Sequence, residues 1–177
     1  MSKSGEWYQQ HEEENIRAFE RRLEEREQAV AFVKKAWELA CDENSPATYG
    51  SQTFHAAIWE ASTMILPKLE VQVVIDDNDI AHVSTGSPGY VDFQINPVGM
   101  KLPIKCWIHT HPFGAAYFSG TDIRTVSIWG PKMKEAYVLG GIDHYGYWSQ
   151  DIPDHLMIFN HGEHIRTQSW VKRGEEE

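Results

Sequence analysis

Apolar residues return every three or four positions from residue 9 to about residue 44, at Ile16, Phe19, Leu23, Val30, Val33, Trp37 and Ala40, in a stretch that holds no Pro and no Gly and is dense in Glu and Arg. That spacing predicts one long amphipathic helix. In heptad terms Ile16, Leu23, Val30 and Trp37 share one seam position and Phe19, Val33 and Ala40 the other, with Arg26 interrupting the seam. Such a helix either docks along its own domain or pairs with a second copy through residues 9–44, and the pattern leaves both open. Asp42-Glu43-Asn44-Ser45-Pro46 reads as its stop and as a linker. The chain therefore divides into residues 1–46, helix and linker, and residues 47–177, a single domain.

The second part opens with Ser51 as a helix cap, followed by Phe54, Ala57, Ile58, Ala61 and Ile65 on one face up to Pro67. The period then changes to two. Val71, Val73 and Ile75 alternate with Glu70, Gln72 and Val74, which predicts a strand over 70–76 closing in the turn Asp76-Asp77-Asn78-Asp79. Further strands are expected over 81–84, 90–96, 104–111, 136–139, 145–149, 156–159 and 165–170, with a helix after Ser119. His161-Gly162-Glu163-His164 reads as a hairpin turn between the last two strands rather than as a metal site. Helices interspersed with hairpin-like strands give a mixed α/β fold whose sheet is largely antiparallel and flanked by helices.

Composition narrows the function classes. The chain has 177 residues, 41% hydrophobic and 12% aromatic, enough for a real core. Its 16 Lys and Arg against 26 Asp and Glu give a net charge of −10, the wrong sign for a protein whose main work is neutralising phosphates, so nucleic acid is not expected as a partner. No apolar run approaches the roughly 20 residues that span a bilayer, and no apolar signal core follows Met1, so a soluble, cytoplasmic protein without membrane contact is expected. Cys41 and Cys106 are the two cysteines, too few for a metal knuckle or a disulfide framework. Any metal must be held by histidine and carboxylate.

The stretch that suggests such a site is Cys106-Trp107-Ile108-His109-Thr110-His111-Pro112, followed after a glycine-containing loop by Ser119-Gly120-Thr121-Asp122. Residues two apart on a strand share a face, so His109 and His111 can present their imidazoles to one ion. Asp122 can fold back to supply a carboxylate oxygen. His₂Asp leaves a fourth tetrahedral position for water, the pattern of catalytic rather than structural zinc. Equally, Ser119 and Asp122 have the spacing of a helix capping box.

Taken together, the string H-x-H-P-x6-S-x-x-D resembles the signature of the JAMM (MPN+) zinc metalloproteases, isopeptidases that include deubiquitinases. The likeness extends to Trp107 two residues before the first His, to Gly114 through Gly120 and to Asp122-Ile123-Arg124-Thr125. The order of elements from about residue 47 to 145 also follows that family. The resemblance implies one Zn²⁺ per chain on His109, His111 and Asp122, and a glutamate general base at the start of the strand after the first domain helix. Glu70 occupies that place, with Glu60, mid-helix, as the competitor. Ser119 would be the donor to the oxyanion. The implied substrate is the C-terminal region of a ubiquitin-like, sulfur-carrier-type or other small β-grasp protein, cut at a peptide or isopeptide bond. The alternative is a non-catalytic scaffold of the same fold that assembles with partners through the N-terminal helix. One stretch departs from the family: Gln72-Val73-Val74-Ile75-Asp76 stands where a small residue and a glycine often follow the glutamate.

Overall fold

A computed structural model describes residues 3–42, 48–86, 100–114, 116–141, 144–150, 156–161 and 164–169. The linker over 43–47, the strand expected over 90–96 and the tip of the last hairpin at 162–163 lie outside the described residues.

The long helix α1 spans Lys3–Asp42. It begins six residues ahead of the expected start and carries Gly5 within its first turn, where a glycine costs a helix only about 1 kcal/mol. The second helix, α2 (Gln52–Glu60), is capped by Ser51, whose Oγ accepts the Phe54 N–H. Where one regular helix was expected to run on to Pro67, the chain instead widens into a π-helical turn over Ala61–Ile65, closed by the Leu66 N–H on the Ala61 carbonyl at 2.9 Å. The wider turn buries Ser62, whose hydroxyl bonds to the Leu69 carbonyl and lies 2.8 Å from Thr110 Oγ1. Thr110 in turn accepts the Val71 N–H at 2.9 Å.

Strands β1 (Val71–Ile75), β2 (Ala81–Thr85), β3 (Ile104–Thr110), β4 (Met133–Leu139) and β5 (His144–Ser149) form a sheet in the order β2-β1-β3-β4-β5, which the hairpin β6 (Leu156–His161) and β7 (His164–Ser169) continues at one edge. Every pairing is antiparallel except β3 with β4. The parallel pair follows from connectivity, because α3 (Gly120–Trp129) carries the chain back from the end of β3 to the start of β4.

Strand alternation sorts the core into two layers. Val71, Val73, Ile75, Cys106, Ile108 and Leu139 pack against Phe54, Ile58 and Leu66 of the α2 region and against Ala29, Val33, Trp37 and Ala40 of α1. On the other face Val74, Trp107, Ala136, Val138 and Trp148 meet Phe118 and Val126, the α3 side. The C-terminal part of α1 is thus built into the core it shares with the α2 region and the sheet, and its Trp37 Nε1 donates to the Asp79 carbonyl at 2.8 Å. The N-terminal part has no such cover: Ile16, Phe19 and Leu23, from the same seam, are exposed.

Candidate metal centre

Strand β3 pairs with β1 on one side and β4 on the other, so it runs between two neighbours. The odd-numbered residues of its C-terminal end turn toward α3: Trp107 lies in that layer, and His109 stacks on it with ring centroids 4.4 Å apart and planes 12° from parallel. His111 follows just past the end of the strand, its N–H extending the β4 pairing to the Leu139 carbonyl at 2.7 Å. The two imidazoles lie edge to face, centroids 5.1 Å apart, and Tyr117 leans on His111 at 5.3 Å. Pro112 stops the pairing from running past His111, because it has no N–H to continue the ladder.

The third residue arrives through α3. Ser119 caps this helix: its Oγ accepts the Asp122 N–H at 3.2 Å, and Asp122 Oδ2 accepts the Ser119 N–H at 2.9 Å, the reciprocal bonds of a capping box. The capping reading of Ser119 and Asp122 holds, and it does not take the carboxylate away from the histidines. The same Oδ2 lies 3.1 Å from His109 Nε2 and 3.3 Å from His111 Nε2, so the capping box is the device that aims the carboxylate at the histidines.

One ligand atom from each of His109, His111 and Asp122 falls within 4.8 Å of the others. Bonds of about 2.0–2.1 Å from a tetrahedral ion set its ligand atoms about 3.3 Å apart, close to the two nitrogen–oxygen distances seen. His109 is 2% exposed, yet neither of its ring nitrogens makes a hydrogen bond. Its approach to Asp122 is close but off the line an N–H would need. A buried imidazole with an unused Nε2 facing a carboxylate and a second imidazole is a donor set that could hold a metal ion. Burial by itself would raise the Asp122 carboxyl; His109, the approach of both imidazoles and the Ser119 N–H outweigh it and hold the group well below the usual carboxylate range. It is ionised, as a ligand must be.

Glu70 directly precedes β1, is 9% exposed, and accepts the Gly86 N–H on its carbonyl at 3.0 Å. It stands two residues before Gln72, which is the register partner of His109, so by strand alternation it belongs to the face that carries the histidines. Glu60 lies elsewhere. It is exposed on α2 and lines a groove with Lys35 and Leu39 of α1, on the opposite layer of the sheet. Trp107, part of the motif's flank in the sequence, stacks on the His109 ring. Another contributor gave little sign in the sequence. Gln72 reads as a mere departure from a pattern, and only the β1–β3 register puts it beside the site.

The chain matches no family model, no curated protein and no solved structure in comparisons with each.

Proposed function

We propose that this protein is a zinc-dependent metallopeptidase of the JAMM type, hydrolysing a peptide or isopeptide bond. The observation that carries the reading is the convergence of His109, His111 and the capping carboxylate Asp122 around an imidazole nitrogen with no other use. Zinc held by these three side chains would supply an acidified water and polarise the scissile carbonyl. Glu70, buried and on the same sheet face, takes the proton of the attacking water and returns one to the departing amine, work usually worth about 10²–10⁴-fold. Ser119 uses one lone pair of its hydroxyl for the Asp122 N–H, which leaves its own proton free to donate to the developing oxyanion. The substrate class rests on the resemblance alone: the C-terminal segment of a ubiquitin-like or sulfur-carrier-type protein.

Elemental analysis of the purified chain beside His111→Ala and Asp122→Asn tests the centre. About one zinc per wild-type chain is expected, with none in either variant. Glu70→Gln should keep its zinc and lose at least 10²-fold in cleavage of a ubiquitin-like fusion substrate; full turnover in that variant would remove Glu70 from the mechanism.

A second reading, a non-catalytic scaffold of the same fold, is favoured by the exposed Ile16, Phe19 and Leu23 on α1, a surface that metal chemistry does not need. Folded wild-type protein that takes up no added zinc would decide for it.

A further inference from the structure

Gln72 and His109 face each other directly across β1 and β3. Opposed residues of an antiparallel pair leave the sheet on the same side with Cβ atoms about 4.5–5.5 Å apart, within reach of one another's side-chain tips. Gln72 is 3% exposed and His109 2%. Gln72 Oε1 makes no hydrogen bond, and neither does either ring nitrogen of His109. An unused acceptor and an imidazole that must carry a proton therefore occupy one dry space, each costly to leave unpaired and each the complement of the other. The other interior residues of β1 are Val71, Val73, Val74 and Ile75, so Gln72 is the polar exception in an apolar strand.

We propose that Gln72 is a positioning residue for the metal centre: its Oε1 accepts the Nδ1–H of His109 and so confines the ring to the tautomer whose Nε2 lone pair faces Asp122 and His111. A neutral histidine that ligates through Nε2 carries its proton on Nδ1, and a buried N–H needs an acceptor. Trp107, stacked on the ring, holds the imidazole plane, so the pair closes by turning the flexible glutamine rather than the histidine. Serving as acceptor without adding a negative charge, the amide orients His109 while the carboxylate of the site remains Asp122. The inference rests on the zinc centre proposed above.

The test uses the full chain and two readouts besides turnover. Zinc affinity is measured by competition with a chromophoric chelator for wild type, Gln72→Leu and Gln72→Glu, and the His109 tautomer is read from imidazole ¹⁵N shifts of the zinc-loaded wild type. Gln72→Leu, close in shape and without the acceptor, is expected to bind zinc about 10–100-fold more weakly with an unchanged or raised melting temperature in the zinc-free form. Gln72→Glu restores the acceptor and should bind at least as tightly as wild type, which covers the case of a leucine variant that does not fold. His109 should carry its proton on Nδ1. Zinc binding by Gln72→Leu within twofold of wild type, or a His109 proton on Nε2, overturns the role of Gln72 and leaves the centre standing. A wild type that binds no zinc overturns the centre and this role with it.

Discussion

His55 of α2 is half-buried toward the sheet, its Nε2 2.5 Å from the Tyr49 carbonyl and its ring meeting Tyr137 edge-on at 4.7 Å. Burial outweighs the hydrogen bond to Tyr49 and lowers its pKa to about 4. An unfolded histidine takes its proton near 6.5. Between those values the unfolded chain binds the extra proton, so stability rises with pH across this window, is complete above about 6.5 and drains away toward 4. Urea unfolding should show His55→Leu losing about 2 kcal/mol less than wild type on going from pH 7 to pH 5; equal losses would contradict the shift. Asp122 does not confuse this comparison. Its pKa is depressed, so the stability it contributes is present above the unfolded carboxyl value and is lost only below about 3.8. At this scale the candidate ligand types were legible, since an H-x-H on a strand and a carboxylate at a cap spacing are local patterns. The role of Gln72 was not, because its partner is 37 residues away and only the strand register brings the two together.

At the scale of elements, the turn between β1 and β2 does more than reverse the chain. Asp76 is wholly buried: Oδ1 accepts the N–H groups of Asn78 and Ile80 at 2.9 and 3.0 Å, and Oδ2 accepts from His82 Nε2 and the Lys101 N–H at 3.0 and 3.3 Å. Burial would raise this carboxyl, but those donors together hold it below its ordinary value. The turn they organise places Asp79 at φ 61°, with its carbonyl on Trp37 of α1 and its carboxylate on Tyr49 and Lys105. Removing the carboxylate strands several donors at once. Asp76→Ala should lower stability by about 3 kcal/mol in chemical denaturation, with Asp76→Asn between it and wild type; a loss under about 1 kcal/mol in the alanine variant would mean that the backbone holds the turn unaided. The acidic run was readable as a turn from composition. Which of its acids is buried was not, because that depends on where Lys101, α1 and β2 come to lie. The break of α2 into a π-turn was hidden for the same reason, since Ser62 makes its bonds to Leu69 and Thr110.

On the scale of the whole molecule, α1 settles half of the choice its heptads left open. Forty residues of helix extend about 60 Å, and only its C-terminal part contributes to the core. Ala29, Val33, Trp37 and Ala40 enter the core while Ile16, Phe19 and Leu23, on the same stripe, do not. Among the described residues no helix is both long and apolar enough to cross a membrane; α1 has the length without the apolarity. On the scaffold reading the exposed stripe pairs with a second copy, so wild type should be dimeric by light scattering and Phe19→Glu with Leu23→Glu monomeric; a wild-type chain that is monomeric at every concentration tested would refute the pairing.

The sequence by itself determined the periodicities, and with them a long helix, a capped second helix, a set of strands and the strand-borne histidine pair, because each depends on side chains within a few positions of one another. It also determined the capping spacing of Ser119 and Asp122. The tertiary structure decided which carboxylate shares a face with His109, separating Glu70 from Glu60 by a whole sheet layer. It decided as well that β4 returns parallel beside β3, that the helix cap doubles as an aiming device for Asp122, and that Gln72 stands opposite His109. Those outcomes depend on strand order and register, which are set by how two apolar layers pack against one sheet and not by any local run of residues.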